Sequence, residues 1–501
     1  MSEKHVVKTP SLLDSLTPII VMIALLTAAV SFFSDNSSYG PNQIALLLSA
    51  GVAIIIGLKN GNSWVGIEKA ITNGISISLG AVLILLAVGS LIGTWLLAGT
   101  VPTLIYYGLN ILNPAWFYAA TCIICGLVSM AIGSSWTTAA TIGVALLAVA
   151  NGLGLDPAIT AGAVISGAYF GDKISPLSET TNLAPAVAGS ELFDHIRYML
   201  YTTLPSIATA LILFVILGFN EDVAGTTENA LALNQLLDKH FDISVFNLVP
   251  LVILLALAVK RMPAFLAVSL GAIAGAIWAM LFQQEFIMSL AAEMPNVDEL
   301  DGLRAFVLSF VSTEVWANIT VVWTAFFDGV SVSSDSEMLN SLLSRGGMAG
   351  MLNTVWLIIC ALTFGAVLEH LGMLRKIMES ILAGAKSVGG LITSTVATCI
   401  GTNVITADQY MAIVMPGRMY KEEYERRGLD PVVLSRTLED SGTLTSPLIP
   451  WNTCGAYMYS VLAVNPLEYI FYCFFNLINP VLACIYGYAG YKIKMLATKV
   501  A

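Results

Sequence analysis

Apolar runs recur along the whole chain at about the 20-residue length that crosses roughly 30 Å of hydrocarbon. They fall near 15–33, 40–58, 71–97, 159–189, 198–218, 244–260, 262–283, 352–373, 432–462 and 468–490. Two further runs, 116–150 and 388–416, carry polar turns at Gly133-Ser134-Ser135-Trp136 and Gly401-Thr402-Asn403. The pattern predicts an all-α polytopic membrane protein with about ten transmembrane helices and two re-entrant hairpins. The short alternating strands of a membrane barrel are missing from the pattern.

Polar signatures recur in the same order in two halves. Gly133-Ser134-Ser135, Gly154-Leu155-Asp156-Pro157 and Ser175-Pro176-Leu177 are answered by Gly401-Thr402-Asn403, Gly428-Leu429-Asp430-Pro431 and Ser446-Pro447-Leu448. Thr181-Asn182 follows the first Ser-Pro and Asn452-Thr453 the second. Helix-breaking polar motifs at matching places in two halves point to a secondary transporter.

Lys and Arg in the loops set the threading, because basic loops stay cytoplasmic. Lys4, Lys8, Lys59 and Lys69 place the N-terminus and the second loop inside, and Lys492, Lys494 and Lys499 place the C-terminus there too. The loop 151–157 carries no basic residue, so the run 116–150 reads as a hairpin entering from outside. The run 388–416 is bounded by Lys386 and by Arg418, Lys421, Arg426 and Arg427, so it reads as a hairpin entering from inside. The two Gly-Leu-Asp-Pro loops therefore belong on opposite faces, which is an inverted-topology repeat. The expected divisions are N-terminal helices 1–70, repeat one 71–218, linking helices and an acidic non-cytoplasmic segment 219–350, repeat two 351–491, and a cytoplasmic tail 492–501.

Composition agrees: 57% of residues are hydrophobic, 11% are charged, and mean hydropathy is +0.81, outside the range of soluble domains. The net charge of −11 says little about partners, since acids gather in loops at Glu221, Asp222 and Glu228 and at Glu293, Asp298, Glu299 and Asp301. The apolar stretch 305–327, interrupted by Glu314, reads as an interfacial helix. No small-residue cleavage site follows the first apolar run, which reads as a span. All seven cysteines sit in apolar stretches, and Cys122 and Cys125 read as small core residues. No structural metal, disulfide framework or cofactor is expected. The expected partners are membrane lipids and a small cation or organic acid, not nucleic acid; a homodimer stays open.

In lipid, irregular backbone survives only against protein or a water-filled cavity. Pro176 and Pro447 each remove a donor in mid-span. Around them Ser175, Thr181, Ser446 and Thr453 offer hydroxyls, Asn182 and Asn452 amide oxygens, and the turns add Ser134, Ser135 and Asn403. Hard oxygen ligands of this kind suit a small alkali cation. A charge inside a span costs at least ~3 kcal/mol at the bilayer centre. Asp172 and Asp408, in or beside the duplicated breaks, are therefore the leading candidates for a carboxylate that takes either a proton or a cation. Glu179, Glu369, Glu439 and Asp440 are secondary coupling candidates. Lys173 and Arg436 each have an acid as neighbour and read as paired structural charges. No nucleophile–base pair or metal-ligand cluster suggests an enzyme.

These residues resemble the NhaC-type sodium/proton antiporter family of the ion transporter superfamily. The resemblance is carried by Gly171-Asp172-Lys173-Ile174-Ser175-Pro176-Leu177-Ser178-Glu179-Thr180-Thr181-Asn182-Leu183-Ala184-Pro185, by Thr402–Tyr410, and by Pro416-Gly417-Arg418-Met419, and it covers roughly 10–490. One departure is Ser134-Ser135-Trp136-Thr137, where the family usually reads Thr-Ser-Trp-Gly; Thr137 adds bulk at the tip. The resemblance implies a transported sodium ion and proton, an inner-membrane location and an elevator-like motion. It also extends to malate/lactate-like exchangers and other organic-solute carriers, which keeps an organic-acid or amino-acid carrier as the alternative.

Overall fold

Most of the apolar runs fold as helices, and the polar interruptions mark where those helices stop. The structure, a computed structural model, describes residues 7–496 apart from 34–35, 38, 112, 222, 293–311, 332–339 and 341–343. Asp222, Glu293, Asp298, Glu299 and Asp301 lie outside the described residues. Among those described, nine helices are long and apolar enough to cross a membrane. The count is eleven if two bent pairs, Leu233–His240 with Val245–Val259 and Pro466–Tyr472 with Phe474–Ala489, are each one span.

One group of helices is built around Leu79–Leu97, which packs against Ala264–Phe282, Thr313–Phe327 and Met348–His370. Leu12–Phe33, Pro41–Lys59 and Trp64–Ile77 complete it. Thr313–Phe327 buries Ala317, Val321 and Ala325 against this bundle. A Cβ on Gly93 would meet the Ala325 carbonyl at 2.1 Å, so the two backbones touch. The second group contains Phe117–Ile132, Ser135–Leu153, Pro157–Ile174 and Glu179–Ala188, then Val388–Thr406, Gln409–Arg426, Pro431–Leu438 and Thr453–Leu462. Leu192–Gly218 and Phe474–Ala489 pack on each other and against this group. Its tightest pair is Phe117–Ile132 on Pro157–Ile174, where a Cβ on Gly167 would lie 2.1 Å from the Cys122 carbonyl. Small residues at such crossings supply the packing that hydrophobic burial cannot supply between helices in lipid. Large apolar side chains such as Leu48, Ile55, Ile212, Ile216 and Leu281 point outward, as a lipid-facing surface requires.

The helix caps repeat at one constant spacing. Ser134 and Asp408 each cap a helix that follows a left-handed residue, Gly133 or Ala407. Asp156 and Asp430 each cap a helix with Pro at its first position. Ser178 and Asn452 cap the helices after the Ser-Pro breaks, and Gly189 and Ala463 end those helices in the left-handed region. Asn113 and Ser387 open the series, and Glu191 and Asn465 close it. Every pair is separated by 274 positions (134 to 408, 156 to 430, 178 to 452), so the two segments match without insertion or deletion. A side-chain oxygen accepting the free amides of a first turn fixes where a helix starts, so caps record register better than sequence motifs do.

That register corrects the sequence reading in two places. The second break is not at Gly401-Thr402-Asn403, which is helical; it is at Ala407-Asp408. Ser446-Pro447 is likewise not the positional counterpart of Ser175-Pro176, since Asp172 is the residue that falls opposite Ser446. Only the Gly-Leu-Asp-Pro loops were aligned in true register. A further break, at Ser78 between Trp64–Ile77 and Leu79–Leu97, divides the run predicted as one span over 71–97. At the C-terminus the Asp430 amide donates to the Lys494 carbonyl at 3.0 Å, and the Leu496 amide donates to the Gly428 carbonyl at 2.8 Å. Lys494 Nζ lies 3.0 Å from Asp430 Oδ2, an ion pair that raises the Lys494 pKa.

Candidate functional site

The breaks converge on one cavity of about 790 Å³. Its wall takes residues from the Ser78 break, the Gly133–Ser135 break, the Pro176–Glu179 break and the Asp408 break. The turn that carries Arg261 reaches the same cavity. Each break leaves backbone groups without helical partners, and Ser134, Ser178 and Asp408, which cap three of the helices that follow, face the space. Ser134, Ser135, Asp172, Glu179, Asn182, Asp408 and Thr453 of the expected set line it.

Asp172 sits in the last turn of Pro157–Ile174 and is 6% exposed. Its Oδ2 accepts from the Ser135 hydroxyl at 2.7 Å and from the Ser135 amide at 3.2 Å. Asp408 caps Gln409–Arg426 by accepting from the Met411 amide at 2.9 Å, and its other oxygen lies 3.4 Å from the Ser78 hydroxyl. In repeat register the Ser135–Asp172 contact falls opposite Gln409–Ser446, where the Ser446 hydroxyl donates to Gln409 Oε1 at 3.0 Å. The two arms keep the same contact, but the carboxylates occupy non-equivalent positions: Asp172 faces a Ser in the other copy, and so does Asp408.

Other expected residues hold the breaks rather than line the cavity. The Thr181 hydroxyl donates to the carbonyls of Lys173 at 2.9 Å and Asp172 at 3.2 Å, satisfying the end of their helix. Ser175 Oγ accepts from the Leu177 amide at 3.3 Å. Asn452 Nδ2 donates to the backbone and side-chain oxygens of Asn403, both at 3.1 Å, while Asn403 Nδ2 donates to the Gly442 carbonyl at 2.7 Å. Asn403 and Asn452 thus clamp the second break, and neither presents a free amide oxygen to the cavity. Glu369 is exposed near the end of Met348–His370, away from the cavity lining.

Glu439 and Asp440 lie behind the cavity, in a π-bulge at Glu439–Thr443. Asp440 is the partner of both buried cations: Oδ1 pairs with Lys173 Nζ, and Oδ2 lies 3.7 Å from Arg436 Nε. The Thr202 hydroxyl adds a bond to Asp440 Oδ1 at 3.0 Å, and the Arg436 guanidinium lies 4.5 Å from the Tyr198 ring centre. Lys173 and Arg436 are both buried beside an acid, but the acid that holds Lys173 comes from the other half of the chain and is not its neighbour Asp172.

Several lining residues escaped the sequence reading. The Tyr410 hydroxyl donates to Glu179 across the cavity, and Trp136 stacks on Tyr457 at 4.1 Å. Gln409 and Cys454 line the second arm. Ser78 carried a legible signal, being one of the few polar residues in a long apolar run; Arg261, in a loop, carried none. Among the described residues no group of three or more His, Cys, Asp or Glu could hold a metal ion.

A profile of the Na+/H+ antiporter family matches residues 167–297 and 287–491. A Na(+)/H(+) antiporter NhaC from Alkalihalophilus pseudofirmus is 37% identical over 470 residues, 94% of each chain. This chain belongs to the Na+/H+ antiporter family. A malate-2H(+)/Na(+)-lactate antiporter from Bacillus subtilis is 36% identical over 483 residues, 95% of each chain. An arginine/ornithine antiporter ArcD from Halobacterium salinarum is 34% identical over 492 residues, 97% of this chain and 94% of that one. Membership of this antiporter family, together with the apolar helices, makes the chain a multi-pass membrane protein.

Proposed function

We propose that the chain exchanges sodium for protons across the cytoplasmic membrane by alternating access, with Asp172 and Asp408 as the carboxylates that take either cation. The observation that carries this reading is the meeting of two nearly buried carboxylates, one from each repeated segment, at helix breaks around a single cavity. An ionised carboxylate in such a place is costly unless a cation or a proton joins it. The empty charged carrier is then disfavoured, and the site crosses with sodium bound or with the acid protonated. The repeated segments act as inverted-topology hairpins and broken helices that move as one body, elevator-like, against the helices around Leu79–Leu97. Both termini are cytoplasmic in this arrangement.

A second reading has one specific support. The cavity falls in the size range of small-molecule sites, roughly 300–1,000 Å³, whereas a bare ion needs far less. Arg261 at its edge could meet a carboxylate, and relatives are named for malate, lactate, arginine and ornithine. Purified protein in proteoliposomes, given an outward proton gradient, separates the two: sodium uptake with no added organic solute supports the cation exchanger. Uptake that appears only with a carboxylate or amino acid present selects the organic-solute carrier.

The threading has its own check. In a background lacking the native cysteines, cysteines at 156 and 430 should label from opposite faces, with 156 reached from outside. Labelling of both from one side would remove the inverted repeat.

A further inference from the structure

The constant repeat register pairs each position of one half with one of the other, and around Asp172 the two copies differ in charge. On the first arm Asp172 and Thr180 lie within electrostatic reach of Glu439, which the Thr443 hydroxyl holds in the second half. The counterparts of these four residues are Ser446, Cys454, Ile165 and Tyr169. That second arm is neutral: Gln409 Oε1 accepts from Ser446 and lies 2.7 Å from Cys454 Sγ, and Ile165 stands where Glu439 stands in the first. At these four matched positions the chain therefore keeps two carboxylates in one copy and none in the other.

Glu439 is 0% exposed. Its Oε2 accepts from the Thr443 hydroxyl, while Oε1 is buried with no hydrogen-bond partner. A buried carboxylate oxygen short of donors is expensive, and beside the neighbouring Thr180 hydroxyl it offers a place for a cation. Lys173 is near, but its ammonium is already engaged by Asp440 and lies 3.3 Å from Asn479 Oδ1. The other groups facing Glu439 are Asp172 and Thr180 from the first half and Cys399 from Val388–Thr406. In this cluster, which leaves out buried Asp408 at its own break and has His195 beside it, three acids (Asp172, Glu439, Asp440) stand against two bases (Lys173, Arg436), an excess of one carboxylate. One monovalent cation balances the set, and oxygen ligands of this hardness suit an alkali ion.

We propose that Glu439 is a ligand of the carried cation, forming with Asp172, Ser135 and Thr180 an inner site for one dehydrated monovalent cation. The inner site spans the two halves, and the Gln409–Ser446–Cys454 arm is its neutral copy. This rests on the sodium reading of the same cavity and adds to it where the ion ends up. The outer cavity gives access, and the ion loses its water between Asp172 and Glu439. The π-bulge at Glu439–Thr443 serves this by turning Glu439 toward the first half, a use that such bulges often have at functional sites.

The test is thermal stability of the purified full-length protein in sodium chloride against choline chloride at equal ionic strength, for wild type, Glu439→Gln and Thr443→Val. Wild type should be stabilised by sodium. Glu439→Gln, with no net charge left in the buried set, should be as stable in choline as wild type is in sodium, and its apparent sodium affinity should fall about tenfold or more. Thr443→Val keeps the carboxylate and removes only its donor, so it should respond to sodium with a shifted midpoint; it carries the test if Glu439→Gln fails to fold. A Glu439→Gln protein with the wild-type sodium response, or a Thr443→Val midpoint unchanged from wild type, overturns the inner site and leaves the exchanger reading intact. A wild type indifferent to sodium overturns both.

Discussion

Asp408→Asn should abolish sodium/proton exchange while the protein still folds and inserts. Asn is as good an N-cap as Asp, so the bond to the Met411 amide at 2.9 Å and the start of Gln409–Arg426 survive. The neighbouring Ser78 hydroxyl, 3.4 Å away, then faces the amide nitrogen and can turn to accept from it. What is lost is the charge that makes an unoccupied site costly to move. That cost is about 3 kcal/mol for a carboxylate at the bilayer centre, which corresponds to about a hundredfold in rate. With that penalty gone the empty carrier crosses freely, so sodium-driven pH change measured in proteoliposomes should fall to background, with elution and melting near wild type. A wild-type rate in Asp408→Asn would remove Asp408 from the coupling site, and Asp172→Asn becomes the decisive variant.

The second large effect is on stability. Asp440→Asn keeps the side-chain size and the Thr202 bond at 3.0 Å but leaves Lys173 and Arg436, both 0% exposed, without their shared acid. Breaking a buried pair by removing one partner costs about 3–5 kcal/mol, because the remaining charge is uncompensated. Arg436 is the more vulnerable, since none of its three nitrogens has a hydrogen-bond partner and Asp440 is the acid beside it. Melting of the detergent-solubilised protein should drop by several degrees, with reduced yield. Adding Lys173→Met should return part of the loss, because it removes one stranded cation and replaces it with a chain of similar volume. If Asp440→Asn melts with wild type, the cluster does not hold the halves together. Partial rescue by the double variant would instead mark Asp440 as the tie between the end of Pro157–Ile174 and the π-bulge.

Much of this was legible in the chain because lipid imposes strict rules on sequence. Spans must be apolar for about 20 residues and must satisfy their own backbone, so helices and their breaks show as run lengths and interruptions. Asp172 and Asp408 stood out for the same reason, as charges in stretches that should not hold them. The Gly-Leu-Asp-Pro loops were correctly paired because each residue there has a fixed local role. Gly ends one helix in the left-handed region, Asp caps the next, and Pro opens its first turn. The match of Gly133 with Gly401 failed because the second half uses Ala407 for the left-handed residue, at φ 56°. An alanine in that role leaves no mark in sequence, so a similar-looking motif six positions earlier took its place.

What the chain by itself determined was the class of molecule, a helical membrane chain of about ten spans, together with the presence of polar breaks in both halves and the two acids beside them. Each follows from short-range chemistry: hydropathy, capping and the cost of charge in lipid. Only the tertiary structure decided which side chains meet. It turned Asn403 and Asn452 into a clamp, brought Ser78 to Asp408 and Tyr410 to Glu179, and gave Lys173 a partner 267 residues away in place of its neighbour. Contacts of that kind depend on how helices from distant parts of the chain cross, and a crossing is set by the sum of many small packing choices that no local pattern records.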